Sequence, residues 1–144
     1  HMASLAVKIN AGTYDVDEPD AADSMPPLHE AVAARKGALT RFLLAQGASV
    51  EKTGGSDGDT PLHIAARTGQ KRMCRLLVLK GAAPDAPAAG GDGSTPLHEA
   101  LRGVKRNGSK GAHAKIAKLF MDEMKRLGRG AEAAAIIAGT RTQD

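Results

Sequence analysis

One short motif occurs three times in this 144-residue chain, and its regular spacing constrains the fold more than any other feature. The copies are PPLHEAV, TPLHIAA and TPLHEAL, which begin at Pro26, Thr60 and Thr95. Their histidines, His29, His63 and His98, lie 34 and 35 residues apart. A period of about 20–50 residues is typical of proteins built from similar units that stack on one another.

Each unit carries the signals of two successive helices. A Thr before a Pro favours a helix start, because the Thr oxygen can accept a hydrogen bond from a free backbone N–H and Pro fits the first helical position. A second apolar stripe follows, with Met73, Leu76 and Leu77 in the middle unit. Gly47 and Gly81 each follow their histidine by eighteen residues, at a point where a left-handed residue would end a helix. We therefore expect each unit to contain a helix, a turn, a second helix and a polar connection.

The composition agrees with closely packed short helices. Aromatic residues make up only 2% of the chain although 42% of its residues are hydrophobic, so the core must consist of small and aliphatic side chains. Strands favour β-branched and aromatic residues, which argues against a β-sandwich. The shortage of rings also disfavours a nucleic-acid module that stacks bases on aromatic side chains.

With these motifs in constant register, the chain resembles the ankyrin repeat family, whose period is about 33 residues with a T-P-L-H-x-A signature. The resemblance implies an all-α solenoid of helix-turn-helix units with projecting hairpin fingers, here about three full repeats plus capping segments. The connections 53–59 and 84–94 would form two fingers. We interpret the chain as one domain with a cloning remnant at 1–2, a half repeat at 5–24, repeat 1 at 25–58, repeat 2 at 59–93, repeat 3 at 94–128 and a C-terminal cap at 129–144.

Two departures from the motif predict local differences. Pro26 replaces the usual Thr, so repeat 1 is expected to lack a side-chain cap worth about 1 kcal/mol. In repeat 3 about eight extra residues separate the two apolar stripes, relative to the 33-residue pattern. We place them in an inserted loop at 103–111, which contains the turn signal Asn107-Gly108.

This insertion contains the basic residues Lys105, Arg106 and Lys110, in a chain of net charge +4. One interpretation is a solvated loop of ordinary polarity. The other is an electrostatic patch that binds an acidic protein segment or nucleic acid.

No residue pattern predicts catalysis. Each motif histidine is expected to form a structural hydrogen bond, because zinc would need ligands clustered at close spacing. Cys74 is expected to be a small buried side chain, and a single cysteine fits a reducing compartment such as the cytoplasm. The glycine-rich stretch 90–95 lacks the Lys of a phosphate-binding loop. We therefore expect no catalytic residues, no metal, no cofactor and no enzyme activity, and no apolar run is long enough to span a membrane.

The resemblance implies a non-catalytic protein-interaction module that binds a partner protein through a concave face of fingers and inner helices, as a regulator, inhibitor or scaffold. Phe42 and Phe120 fall in the second apolar stripe and are expected to be core residues. Tyr14 is therefore the one aromatic side chain expected to be accessible to a partner. The expected partner-binding residues are Tyr14, Asp23, Met25, Ser56, Asp57, Asp59, Arg67, Thr68, Asp92, Ser94, Arg102 and Gly103. Alternatives are nucleic-acid or acidic-segment binding through the basic third repeat, and a targeting module cut from a longer enzyme. A monomer is favoured.

Overall fold

Seven helices follow one another in the computed structural model, which describes residues 26–54, 58–88, 93–108 and 111–142. They are α1 Pro27–Ala33, α2 Gly37–Ala45, α3 Pro61–Arg67, α4 Lys71–Leu79, α5 Pro96–Asn107, α6 Ala112–Arg126 and α7 Gly130–Thr142. The inner helices α1, α3 and α5 pack side by side, and each carries an outer helix, α2, α4 or α6. The described residues thus form an all-α solenoid of three helix-turn-helix units.

The helix starts and ends follow from the motif. Thr60 and Thr95 form capping boxes with the histidines three residues later, and a Pro occupies the first turn of α1, α3 and α5. Gly47 and Gly81 have φ angles of 94° and 97°, so the predicted left-handed helix ends are confirmed. There the N–H groups of the next residues donate to carbonyls in the last helical turn, which satisfies acceptors that the helix leaves free.

The core lies between the inner and outer helices and is built from aliphatic side chains. The largest fully buried apolar side chains are Leu28, Leu43, Leu62, Leu77, Leu97, Ile116, Phe120 and Met124. Burying one such side chain stabilises the fold by about 1.5–3 kcal/mol. Ala65 and Ala100 are also fully buried, and their small size lets neighbouring inner helices approach closely. Phe120 is a core residue as expected, whereas Phe42 is half-buried at the edge of the core.

Repeat 3 differs from the prediction of an inserted loop. Residues 103–107 continue α5, and the connection to α6 contains only residues 108–111. In repeats 1 and 2 the first helix ends where Arg35 and Gly69 adopt φ angles of 62° and 72°. The corresponding residue of repeat 3 is Val104, whose branched side chain disfavours a left-handed backbone. The helix therefore continues until Gly108, which has a φ of 88°.

The described ends of the two connections between repeats pair with each other, as expected for fingers. Gly54 and Asp59 exchange two backbone hydrogen bonds of 2.9 and 3.1 Å, which closes the first finger as a hairpin. The N–H of Ala88 donates to the carbonyl of Ser94 over 2.9 Å at the base of the second. Helix α7 lies within the C-terminal cap expected at 129–144 and packs against α5 and α6. None of the described helices is both long and apolar enough to cross a membrane.

Candidate functional site

The motif histidines of repeats 1 and 2 each join their repeat to the finger that precedes the next one. The N–H of Thr60 donates to Nδ1 of His63 over 3.1 Å, and Nε2 of His63 lies 2.7 Å from the carbonyl oxygen of Ser94. The carbonyl contact requires a proton on Nε2, and the Thr60 N–H requires a lone pair on Nδ1. His63 therefore connects repeat 2 to the finger before repeat 3. The structural role predicted for this histidine is confirmed.

In repeat 1 the same contact is incomplete. Nε2 of His29 lies 2.8 Å from the carbonyl oxygen of Asp59, but Nδ1 is buried without a hydrogen-bond partner among the described residues. The reason is Pro26, which has neither the N–H nor the hydroxyl that Thr60 offers to His63. Burial of the ring lowers the pKa of His29 below its ordinary value of 6.5, although the contact with Asp59 acts in the opposite direction.

A network of four charged side chains runs from the first finger across α3 and α5. Nη2 of Arg67 donates to the Asp59 carboxylate over 2.6 Å, and its Nε donates to Glu99 over 2.5 Å. Nη1 of Arg102 reaches the other oxygen of Glu99 over 3.1 Å. Two guanidinium groups thus balance two carboxylates, and the network joins repeat 2 to repeat 3.

The two kinds of charge differ in their exposure. The side chains of Asp59 and Glu99 are each 10% exposed, whereas those of Arg67 and Arg102 are 40% and 39% exposed. Burial acts to lower the pKa of Arg67, but its hydrogen bonds to Asp59 and Glu99 outweigh that effect and raise the pKa. Arg67 therefore stays charged in a side chain that is partly exposed to solvent.

This network brings together three residues that the sequence predicted for one face: Asp59, Arg67 and Arg102. Thr68 lies next to them, but its hydroxyl donates to the carbonyl of Ile64 within α3. Ser94 is buried below the second finger, where its carbonyl oxygen contacts His63.

The remaining predicted residues are placed as follows. Gly103 is buried in α5 against His113, so it offers no exposed contact. Lys105 and Arg106 are exposed in the last turn of α5 instead of in a loop. Outside the described residues lie Tyr14, Asp23, Met25, Ser56, Asp57, Asp92 and Lys110.

Sequence reasoning missed two members of this region, Glu99 and His113. Glu99 directly follows the motif histidine of repeat 3, and Arg67 stands four residues after that of repeat 2, so the repeat register could have paired them. His113 is different, because its Nε2 contacts the carbonyl oxygen of Arg67 over 3.0 Å and its Nδ1 lies 3.2 Å from the Asn107 amide nitrogen. No residue spacing predicts that contact, since the extended α5 is what brings α6 to this position.

The described residues include neither a reactive thiol nor a metal-binding cluster. Cys74 is fully buried, and burial raises the pKa of its thiol to about 12, so the reactive thiolate is suppressed. Within the described ranges no three or more His, Cys, Asp or Glu side chains cluster in a way that could hold a metal ion.

Known proteins match the same region. Residues 3–88 and 28–125 match the family model described as ankyrin repeats in three copies. Over 65 residues the chain is 42% identical to Ankyrin repeat and SOCS box protein 18 of Homo sapiens, which covers 45% of this chain and 14% of that protein. Over 76 residues it is 40% identical to human Palmitoyltransferase ZDHHC13, and this match covers 53% of this chain and 12% of that protein. Over 71 residues it is 37% identical to Palmitoyltransferase Hip14 of Drosophila melanogaster, and this match covers 49% of this chain and 11% of that protein.

The chain thus spans only 11 to 14% of the length of these relatives. The family model, in contrast, covers most of the chain, including all three motifs. The capping boxes, the left-handed glycines and the histidine links agree with that match. The chain belongs to the ankyrin repeat family.

Proposed function

We propose that this chain binds a partner protein through its inner face, defined as the two fingers and the exposed side of α1, α3 and α5. Ankyrin repeats are protein-interaction modules. The observation that supports this face is the placement of Arg67 and Arg102, whose guanidinium groups are held by buried carboxylates while their side chains are 40% and 39% exposed. Such groups present hydrogen-bond donors to a partner with little further loss of side-chain freedom.

The balance of charge in the network suggests how the face would recognise its partner. Two arginines and two acids cancel in net charge, so general electrostatic attraction is weak on this face. Specificity would come from hydrogen bonds to the exposed sides of Arg67 and Arg102, with finger residues adding contacts around them. Because the scaffold holds these donors in place before binding, the entropy cost of association is reduced. The role is non-catalytic, as a regulator, inhibitor or scaffold.

The test must avoid residues that hold the fold together. Asp59 is almost buried and Arg67 bonds two carboxylates, so replacing either would disturb the stack as well as the surface. Ala33 at the end of α1 is exposed, and the contact of Arg102 with Glu99 is longer than the contacts of Arg67. We would combine Ala33→Glu with Arg102→Ala as the inner-face variant.

A matched control changes the net charge equally on the outer helices. Arg75→Ala on α4 and Lys118→Ala on α6 replace exposed residues and also change the charge by two negative units. In affinity capture followed by mass spectrometry, the wild type and the control are expected to retain the same partners and the inner-face variant to lose them. Circular dichroism would verify that both variants are folded. Retention of all partners by a folded inner-face variant would reject this face.

A second possibility is that the module targets a longer enzyme. Two of the relatives described above are named palmitoyltransferases, and the chain matches only 12% and 11% of their lengths. Here too the module itself would be non-catalytic. Reading the gene in both directions beyond this segment would distinguish the cases, because an adjoining catalytic domain supports targeting and its absence supports an independent binding module. A cytoplasmic location stays a prediction.

A further inference from the structure

A basic cavity lies on the opposite side of the stack, between the outer helices of repeats 1 and 2. Its volume is about 440 Å³. Arg35 and Arg41 line it from repeat 1, and Lys71 and Arg72 line it from the first turn of α4. None of the described residues that line the cavity is an Asp or a Glu. Four cationic side chains therefore surround one concave space.

None of the described residues neutralises the charge of this cluster. Within the described part of the chain, Arg41, Lys71 and Arg72 form no ion pair or hydrogen bond through their side chains. Arg35 donates one N–H to the carbonyl oxygen of Thr68 over 2.8 Å, which orients the guanidinium group and leaves its charge unpaired. A concave site lined by charges of one sign focuses the electrostatic potential and attracts ions of the opposite sign.

The start of α4 adds to this potential. Free N–H groups in the first turn of a helix carry partial positive charge. Gln70 precedes this turn, but its side-chain nitrogen donates to the Val32 carbonyl and to the Thr68 hydroxyl, so it does not cap the helix. The backbone therefore adds to the charge of the four side chains.

The chemistry of the walls favours a phosphate ester. Guanidinium groups match the oxygens of a phosphate through paired hydrogen bonds, and three of the four cations are arginines. Met73 and Leu76 form an apolar part of the wall that can contact the carbon portion of an ester. A cavity of about 440 Å³ is at the smaller end of the range for ligand sites, which suits a compact anion.

We propose that the cavity between α2 and α4 binds a phosphate-bearing ligand. The shared chemistry is a phosphate monoester, carried either by a small organic molecule or by a phosphorylated side chain of a protein. This site is separate from the inner face and does not depend on the function proposed for that face. It also differs from the exposed Lys105 and Arg106, which stand on the last turn of a helix and line no described cavity.

The test uses the whole chain and defined probes. Phenyl phosphate would be titrated into the isotope-labelled protein at low salt, with sodium benzoate as a singly charged anion for comparison. Saturable shifts are expected at the amides of Arg72, Met73 and Leu76, with phenyl phosphate binding about tenfold tighter than benzoate because its dianion pairs with more guanidinium N–H groups.

A matched pair of variants separates a site from general attraction. Arg41→Gln with Arg72→Gln removes two charges from the cavity, and Lys115→Gln with Lys118→Gln removes two from the exposed face of α6. The cavity variant is expected to weaken binding at least about tenfold, and the α6 variant less than about twofold. All four residues are exposed, and thermal melting would verify folding. Equal weakening in both variants, or no saturable binding by the wild type, would overturn the proposal.

A third arm identifies the source of the phosphate. A short peptide with one phosphoserine would be compared with phenyl phosphate. Tighter binding of the phosphopeptide supports the site and assigns it to a phosphorylated protein segment. Tighter binding of phenyl phosphate supports the site and assigns it to a small phosphate ester. Binding of neither probe contradicts the proposal.

Discussion

Pro26 shows how one residue can leave a hydrogen-bonding position of the repeat motif unfilled. At the same place in repeat 2, Thr60 provides an N–H for Nδ1 of His63. In repeat 1 the ring of His29 is equally buried, yet its Nδ1 has no partner in the described part of the chain. A buried polar atom without a partner destabilises a protein by about 1–3 kcal/mol. The motif departure visible in the sequence is therefore a specific defect of the folded state.

We expect Pro26→Thr to stabilise the protein. A threonine would supply the missing N–H and a hydroxyl, and the backbone angles of Pro26, φ −53° and ψ 152°, resemble those of Thr60. Loss of the proline ring frees the unfolded chain and offsets about 0.4–1 kcal/mol of this gain. The net effect should be about 1 kcal/mol, a rise of about 3 °C in Tm. The reverse change, Thr60→Pro, should lower Tm, and an unchanged Tm for Pro26→Thr would mean that the ring is already well accommodated.

The buried histidine also makes stability depend on pH. The pKa of His29 is lowered in the folded state, so below pH 6.5 the unfolded chain takes up more protons than the folded chain. This contribution to stability is fully present above 6.5 and is lost as the pH falls toward and through the folded-state pKa. The loss is at most about 1.4 kcal/mol per pH unit.

Urea midpoints at about pH 7.5 and about pH 5.5 would measure this dependence. His29→Gln removes the titrating ring and keeps an amide that can donate to the Asp59 carbonyl. We expect the wild type to lose more stability on acidification than this variant. Identical slopes for the two proteins would show that His29 does not contribute.

At the scale of single elements, the length of α5 is the main difference from the other inner helices. It has 12 residues, whereas α1 and α3 have seven each. The packing of α6 against this helix depends on Gly103, because a Cβ atom there would lie 2.0 Å from Cδ2 of His113. Only a glycine lets α6 approach α5 so closely that His113 reaches the carbonyl of Arg67.

Gly103→Ala is therefore expected to destabilise the protein in spite of the better helix propensity of alanine. The propensity gain is about 1 kcal/mol. Displacement of His113 would cost more, since it strains a packed interface and breaks a hydrogen bond between repeats, and we expect a net loss of about 1–2 kcal/mol. Chemical denaturation would measure the change.

Gly37→Ala is the matched control for this prediction. Gly37 begins α2, and the nearest atom to an added Cβ is 3.9 Å away, so there is room for the methyl group. This variant should be neutral or gain about 0.5 kcal/mol. If both alanine variants were stabilising, the close contact at Gly103 would be of no consequence.

At the scale of the whole molecule, repeats 2 and 3 are joined by Arg67. Its guanidinium group bonds Asp59 in the first finger and Glu99 in α5, and both carboxylates are almost buried. Removal of the arginine would leave two buried charges with too few partners. Arg102 donates to Glu99 over 3.1 Å, a longer contact than those of Arg67, and is expected to contribute much less.

Arg67→Ala should therefore lower the free energy of unfolding by about 2 kcal/mol, less than for a fully buried pair because the side chain is 40% exposed. Arg102→Ala should lower it by no more than about 0.5 kcal/mol. Urea denaturation of both variants would test the difference. Equal losses of stability in the two variants would mean that the contacts of Arg67 stabilise the protein no more than an ordinary surface ion pair does.

Much of the fold was predictable because the repeat signals are local. The Thr-Pro helix starts, the left-handed Gly47 and Gly81 and the buried Cys74 follow from preferences that a few neighbouring residues determine. The prediction of a loop at 103–107 was wrong because the local signals there do not determine the length of the helix. A turn signal at Asn107-Gly108 marks the end of a helix, but it does not show that the helix extends that far.

The amino-acid sequence by itself determined the family, the register of the repeats and the missing cap at Pro26, since each depends on residue type and spacing. Only the tertiary structure decided what the chosen side chains do: Asp59 became an almost buried partner of Arg67, and Gly103 a contact of His113. It also brought Arg41 of one repeat and Arg72 of the next to the same cavity. These relations depend on how neighbouring repeats are packed, and burial and distance between repeats are not properties of any local stretch of chain.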